Sequence, residues 1–357
     1  MNEQHNEWLT VCHRCAGRAV HVRRDGTLYV CRGYNIYSSE DDGRSWSSVM
    51  RMPVSINRRL GQVSRLAGRL LRLEVRALAT LSDGTHVAAN REWVFHGRAG
   101  DGVMSRATVE ERGQPLAPPM TLTVGPEERV LWGEYNSRTG HNLPVRLYVS
   151  DDGGRSYQIA RVFTPGEILH IHNLIYDHRH RHYWLMAGDH DEEPGIGRLS
   201  VDLEDFEWIR KGKQCYRAVE VFDFDDRLLY ATDTHLEPNA LISMDKATGR
   251  IEQLMQLGGS CIYACRFGGI YALTTTVEPS TVNTSQHAEL WLSRDGDCWR
   301  KAFRAEKDRW NAFYFQFGSL VLPRGRSDRE VILFSGQALR GIDGQAMTAR
   351  LVEEGTH

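Results

Sequence analysis

Three short stretches share one pattern: SEDDGRSW at residues 39–46, SDDGGRSY at 150–157 and SRDGDCW at 293–299. Each has a serine two residues before an aspartate, then a glycine, and ends on an aromatic residue. Such an aspartate can accept hydrogen bonds from the backbone of its own turn, and the glycine allows positive φ. The pattern therefore indicates one turn that recurs along the chain.

Short apolar runs of strand length lie between these turns, and each follows a turn signal. They are TLYVCRG (27–33), THVAAN (85–90), RVLWGEY (129–135), HYWLMAGD (182–189), RLLYATD (227–233), GIYALTT (269–275) and EVILFSG (330–336). Helical periodicity is confined to Asn57–Leu73, where Gly61 and Gly68 weaken it. Seven units in 357 residues are about 51 residues each, close to the length of a four-stranded propeller blade.

We therefore predict an all-β chain that folds as a single seven-bladed β-propeller of four-stranded antiparallel blades, with six blades as the alternative. Residues 1–17 are expected to pair with the last blade, because ring closure removes unpaired strand edges. The predicted blades are 18–53, 69–113, 118–166, 168–214, 216–260, 261–310 and 311–354.

The recurrent turn resembles the Asp-box (BNR repeat), Ser-x-Asp-x-Gly-x-Ser/Thr-aromatic, of sialidase-like propeller proteins. That resemblance implies a structural turn between the third and fourth strands of a blade, with Asp41, Asp152 and Asp295 bonding within their own turns. The Arg-Ile-Pro motif of sialidases does not occur in this sequence. The resemblance therefore predicts the fold and a glycosidase-like activity rather than a true sialidase.

Composition narrows the classes of protein. There are 44 Lys+Arg and 46 Asp+Glu, a net charge of −2, so no basic field exists to gather nucleic acid. No apolar run is long enough to span a membrane, and the first residues lack the apolar core of a secretory signal. We therefore expect a cytoplasmic protein whose seven cysteines are reduced thiols. The sequence leaves the oligomeric state open.

Polar and charged residues recur where second strands end and first strands begin, which predicts a binding face at one end of the blades. Candidate catalytic residues are Glu134, Tyr135, His170, Asp189, His190 and Asp233. Candidate substrate-binding residues are Arg32, Arg76, Asn90, Arg91, Asn136, His172, Arg217, His235, Tyr263 and Tyr314.

Three functions fit these residues. The first is a glycoside hydrolase acting on an acidic oligo- or polysaccharide, with two of Glu134, Asp189 and Asp233 as acid and base. The second is a uronate lyase, in which a His or Tyr removes the proton next to a carboxylate that Arg, His or a metal neutralises. The His pair and Arg217 resemble residues of propeller-fold polysaccharide lyases. The third is a non-catalytic propeller that binds glycan or protein.

A divalent metal is a further alternative. His170, His172, His190 and His235 could supply nitrogen ligands to Mn²⁺ or Zn²⁺, and Asp189 or Asp233 could add oxygen. No local motif such as H-E-x-x-H requires a metal, so the sequence predicts none firmly.

Overall fold

The computed structural model describes residues 8–110, 116–135, 143–190 and 192–352. Its regular elements are almost all strands, because short β-branched and aromatic runs alternate with turn residues. The first strands are β1 (Leu9–Ala16), β2 (Arg18–Val22), β3 (Leu28–Arg32), β4 (Asn35–Ser39) and β5 (Ser47–Arg51).

Two short helices replace the single helix predicted over Asn57–Leu73. They are α1 (Ile56–Gly61) and α2 (Arg65–Leu70). The first ends at the glycine, and Ser64 caps the second by accepting a hydrogen bond from the Ala67 N–H.

The next two groups of strands in the chain are β6–β11 and β12–β15. The first comprises β6 (Ala77–Thr80), β7 (Thr85–Ala89), β8 (Val94–Arg98), β9 (Gly102–Val103), β10 (Ser105–Arg106) and β11 (Thr108–Val109). The second comprises β12 (Thr123–Val124), β13 (Val130–Gly133), β14 (Val145–Ser150) and β15 (Ser156–Phe163), with a 3₁₀ turn at Pro126–Glu128.

Three further groups of four strands follow. They are β16 (Ile171–Asp177), β17 (His182–Ala187), β18 (Gly195–Ser200) and β19 (Phe206–Lys211); then, after a 3₁₀ turn at Gln214–Tyr216, β20 (Ala218–Asp223), β21 (Arg227–Thr232), β22 (Ala240–Asp245) and β23 (Ile251–Gln256); then β24 (Ser260–Phe267), β25 (Ile270–Val277), β26 (His287–Ser293) and β27 (Arg300–Glu306). The chain ends with α3 (Ala312–Phe315), β28 (Gly318–Val321), β29 (Arg324–Ser327), β30 (Ile332–Gln337) and β31 (Gln345–Leu351).

Consecutive strands pair antiparallel within β2–β5, β6–β8, β12–β15, β16–β19, β20–β23 and β24–β27, so each of these groups is an up-and-down sheet. β16–β19 and β20–β23 are separate four-stranded sheets, β6, β7, β8 and β10 form a third, and β12–β15 with β11 form a five-stranded sheet. The other strands join in one fourteen-stranded sheet, in which β1 lies antiparallel to β31. The short β29 runs parallel to both β2 and β24.

Apolar side chains fill the space between neighbouring sheets. Trp132, which stacks on Tyr148 at 4.2 Å between ring centroids, shares one buried cluster with Val87 of the preceding sheet. Trp184 of β17 and Tyr230 of β21 share the buried cluster between the sheets β16–β19 and β20–β23. The all-β prediction is confirmed, and antiparallel sheets of four strands that stack face to face are the units that a β-propeller requires.

The recurrent turns join the third and fourth strands, β4 to β5, β14 to β15 and β26 to β27. In the first, the Ser39 hydroxyl donates to Asp41 at 2.8 Å and accepts from the Gly43 N–H at 2.9 Å. Asp152 and Asp295 make the same contacts with their own serines. These aspartates therefore bond within their turns, as the structural interpretation predicts. No helix of the described residues is long and apolar enough to cross a membrane.

Candidate functional site

The ends of the first two strands of several sheets bring polar side chains to one end of the fold. Arg76, His170 and Arg217 come directly before β6, β16 and β20, while Asp189 and Asp233 come just after β17 and β21. The first and second strands are antiparallel, so these positions face the same opening. These five polar residues therefore lie at the same end of their sheets.

Three ligand atoms converge at this end of the sheets, one each from His170, His172 and Asp189. His170 Nε2 lies 2.9 Å from His172 Nε2, and Asp189 Oδ1 lies 3.2 Å and 2.9 Å from the two nitrogens. A β-bulge between Ile171 and Asn173 sets the direction of the second imidazole. Both histidines are buried and the aspartate is half-buried, so the cluster is held in the wall of the opening.

The hydrogen bond that His172 makes to the backbone constrains what can lie between His172 and Asp189. His172 Nδ1 lies 2.8 Å from the Ala218 carbonyl, which can only accept, so Nδ1 carries the proton. In a ring that carries only this proton, Nε2 is an acceptor that faces another acceptor, Asp189 Oδ1, across 2.9 Å. A proton or a metal cation must lie between them.

The donor set fits a divalent metal ion. Two imidazoles and a carboxylate are ligands of Mn²⁺ and Zn²⁺. Two ligands bound at about 2.1 Å and at right angles are roughly 3.0 Å apart, which matches the separations in the cluster. Burial opposes ionisation of Asp189, but His170 and His172 outweigh it and hold the pKa of this carboxyl well below its usual value. Asp189 is therefore ionised, as a metal ligand must be.

Positively charged arginines lie near the cluster, and the Tyr135 ring contacts both Arg76 and His170; we call Arg76 and Arg91 the arginine wall. Tyr135 stacks on His170 with 4.0 Å between ring centroids, and the Arg76 guanidinium lies 4.4 Å from the Tyr135 centroid. Burial, with a further contribution from Asp189, raises the pKa of Tyr135, so its phenol stays protonated. The Arg91 side chain keeps solvent contact, yet the surrounding protein, Arg76 and Arg72 lower its pKa to about 10.

Carboxylates and Arg217 lie on the other side of the cluster. Arg217 forms an ion pair with the Asp189 carboxylate at 3.1 Å, donates to the Asp189 carbonyl at 3.4 Å and lies 3.7 Å from the Asp233 carboxylate. Burial raises the pKa of Asp233. Burial and the nearby Asp233 raise the pKa of Glu278 to about 7, although a hydrogen bond from the Ser260 hydroxyl lowers it.

Two further histidines stand beside Arg217. His190 and His235 meet edge to face, with 6.0 Å between ring centroids, and His235 Nδ1 lies 3.4 Å from Arg217. Burial, Arg217 and His190 lower the pKa of His235. His190 and His235, which the sequence also offers as metal ligands, are not part of the group of converging ligand atoms, which among the described residues consists of His170, His172 and Asp189.

Tyr263 lies farther along the first strands. Its hydroxyl accepts a hydrogen bond from Arg18 at 2.9 Å, and the Arg324 guanidinium lies 5.3 Å from its ring. Arg324 also pairs with Glu220. Tyr263 is therefore flanked by two further guanidinium groups, those of Arg18 and Arg324.

Several predicted site residues have other surroundings. Glu134 is buried and accepts two 3.3 Å bonds from Arg146, so its carboxylate is held in an ion pair. The Arg32 guanidinium lies over the Tyr37 ring and donates to the Ala16 carbonyl.

The Asn90 side chain is likewise used locally, because it accepts bonds from the Glu92 and Trp93 N–H groups and closes a turn. Tyr314 is exposed on α3. Asn136 lies outside the described residues.

Sequence reasoning missed Glu278, Arg18 and Arg324. Glu278 follows β25 as Asp233 follows β21, so counting from the strand end would have found it. Strand β25 runs to Val277, two residues beyond the GIYALTT run (269–275) that indicates it in the sequence. Arg18 begins β2, and Arg324 begins the short β29 in a stretch, RGRSD (324–328), that the sequence presents as a turn.

No protein-family model matches the chain, and no curated protein matches it in sequence. The resemblance to sialidase-like proteins therefore has no support from these comparisons. Solved structures do match. An oligogalacturonate lyase in complex with manganese has a TM-score of 0.64 and 10% identity, over 99% of this chain and 96% of that chain.

Two other matches are a chain of the mitotic checkpoint complex and an extracellular domain. The first has a TM-score of 0.58 and 8% identity, over 98% of this chain and 94% of that chain. The second, from a putative one component system of B. thetaiotaomicron, has the same TM-score and identity, over 97% of this chain and 42% of that one. Such low identities show the fold alone: the chain is similar to β-propeller proteins.

Proposed function

We propose that this chain is a lyase that cleaves uronate oligosaccharides, such as galacturonate oligomers, with the help of a divalent metal. One observation carries the proposal: the ligand atoms of His170, His172 and Asp189 converge beside a wall of arginines. The fold shared with an oligogalacturonate lyase in complex with manganese supports it.

The arginine wall supplies the site for the substrate carboxylate. Arg76 and Arg91 form no ion pair with a carboxylate among the described residues, and Glu74 is the nearby acid that acts on both. A guanidinium binds a carboxylate through two parallel hydrogen bonds. A bound uronate would therefore relieve the repulsion between these two groups.

His170, His172 and Asp189 would hold Mn²⁺ or a similar ion. When bound, that ion withdraws electron density from the substrate carboxylate and so stabilises negative charge on the adjacent carbon. Arg217 keeps Asp189 in place through its 3.1 Å contact. The Ala218 carbonyl fixes the tautomer of His172.

The chain also provides a base and an acid. In β-elimination a base removes the proton next to the carboxylate, the C–O bond to the leaving sugar breaks, a C=C bond forms and the leaving oxygen takes a proton. His235 is suited to be the base, because its lowered pKa keeps it neutral at pH 7. Tyr135 is suited to be the acid, because its raised pKa keeps the phenol protonated.

The product distinguishes this proposal. Oligogalacturonate incubated with the protein and Mn²⁺ should give an unsaturated uronate that absorbs in the near ultraviolet, and dialysis against a chelator should abolish the signal. Reducing ends that form without this absorbance would contradict the proposal, as would full activity after metal removal.

A glycoside hydrolase remains the second candidate, because of Glu278. A carboxyl with a pKa of about 7 near the ionised Asp189 has the properties of an acid and base pair. Glu278→Gln separates the two functions, since it should stop a hydrolase and leave the lyase described above active. Glu134 is a weaker candidate, because Arg146 occupies both its oxygens.

We also propose that the sheets are seven blades of one domain and that β1 closes the ring. Support comes from the successive four-stranded groups and from the pairing of β1 with β31. Deleting residues 1–17 should expose the edge of β31 and lower the urea midpoint of unfolding. An unchanged midpoint would contradict closure.

A further inference from the structure

We infer that α3 presents a distal aromatic subsite for the same oligosaccharide, an inference that rests on the proposed function. Phe313 is 75% exposed and Tyr314 is 58% exposed. Their rings meet at right angles with 5.2 Å between centroids. Two adjacent exposed aromatic side chains are unusual on a soluble surface and indicate a contact site.

A buried ion network fixes this helix. The guanidinium of Arg69, 1% exposed, donates to the Phe315 carbonyl at 2.8 Å, to Asp308 at 2.6 Å and to Asp343 at 3.3 Å. The Asn311 side chain caps α3 by accepting bonds from the Phe313 and Tyr314 N–H groups. The rings therefore project from a firmly held base, and binding there costs little conformational entropy.

The helix is continuous with the candidate site. It precedes the first strand β28, as Arg76 precedes β6, so both lie at the same end of the sheets. Arg72 donates to the Phe313 carbonyl at 3.3 Å and adds to the positive charge around Arg91. Arg72 contacts α3 and Arg76 lies over the Tyr135 ring, and both add positive charge at Arg91; we call Arg72, Arg91 and Arg76 the guanidinium line.

The occupant that this combination fits is a distal sugar ring of an anionic oligosaccharide. One face of a sugar ring is apolar and packs on an aromatic side chain, while its carboxylate pairs with arginine. A nonpolar protein partner would not use the guanidinium line. The site should therefore favour long uronate oligomers over short ones.

The test compares binding of galacturonate hexamer and trimer by calorimetry in the wild type and in the double variant Phe313→Ala/Tyr314→Ala. The hexamer should bind the double variant about tenfold more weakly, equivalent to about 1.4 kcal/mol, so the hexamer-to-trimer affinity ratio falls. Val162→Ala, at an exposed outer-strand position, is the matched control and should keep the ratio.

Equal loss for both oligomers, or no loss, would overturn the subsite while the ultraviolet assay on the wild type still judges the lyase. Concentration-dependent dimerisation that the double variant abolishes would also overturn it, because the patch would then belong to a second copy. If the wild type binds hexamer tightly but cleaves nothing, the proposed reaction fails and the subsite stands.

Discussion

Metal binding by His170, His172 and Asp189 has a consequence that can be measured without any substrate. An ion that binds the folded chain alone stabilises it by RT ln(1 + [L]/Kd), about 2.7 kcal/mol at 100 times Kd. Unfolding entropy is about 2.1 cal/mol/K per residue, so the 357 residues give roughly 0.75 kcal/mol/K. Mn²⁺ should therefore raise Tm by about 4 °C.

His172→Gln and His172→Ala should abolish this shift. Either change also lowers Tm without metal, because the imidazole is buried and donates to the Ala218 carbonyl. The informative quantity is therefore the difference in Tm with and without Mn²⁺, measured by scanning calorimetry on chelator-treated protein.

The control is His287→Ala, which removes a half-buried imidazole that contacts Arg304. It should keep the full shift. If the wild type shows no shift at millimolar Mn²⁺ or Zn²⁺, or if the His172 variants shift as much as the wild type does, the 2.9 Å contact with Asp189 is bridged by a proton and the metal assignment is wrong.

Three further predictions test separate parts of the fold and site. Tyr135→Phe should lower turnover at least 100-fold with little change in substrate affinity, as steady-state and binding measurements would show; unchanged turnover would exclude Tyr135 as the acid. Lys246→Met should destabilise the protein by about 3–5 kcal/mol, because Lys246 compensates the fully buried Asp177 at 2.7 Å and Asp223; a smaller loss in urea unfolding would mean that both acids reach water. Burial lowers the pKa of His21 in the folded chain from 6.5 to about 3. The unfolded chain therefore binds this proton at a higher pH than the folded chain does, and the free energy of unfolding falls as pH drops from 6.5 towards 3. Between pH 7 and pH 5 the free energy of unfolding should fall by about 2 kcal/mol through this group, and His21→Gln should remove that part of the fall. Equal slopes of unfolding free energy against pH in the wild type and the variant would contradict the prediction.

The sequence predicted the strand content and the recurrent turns because both are local properties. An aspartate that bonds to its own turn, such as Asp41, needs no partner from elsewhere in the chain. The spacing of His170 and His172 likewise placed two imidazoles together. Each of these signals spans fewer than ten residues.

Contacts between distant segments could not be predicted in this way. Glu134 has the residue type and strand-end position of a catalytic acid, but Arg146 from the next strand occupies its carboxylate. Arg32 and Asn90 have strand-end positions too, yet the ring of Tyr37 and a local turn hold them. Whether a polar side chain is available for a ligand depends on which residues from other strands contact it in the folded chain. A single sequence does not contain that information.

The two sides of the opening carry opposite chemistry, and this asymmetry favours a lyase over a hydrolase. Arg76 and Arg91 stand on one side of Tyr135, while the imidazoles and acids stand on the other. In the proposed reaction the carboxylate of a uronate lies between the guanidinium groups and the metal ligands, so its adjacent carbon lies beside the imidazoles. Proton removal at that carbon is the step that needs such an orientation. Hydrolysis acts at the glycosidic carbon and gains nothing from the arginines beyond binding.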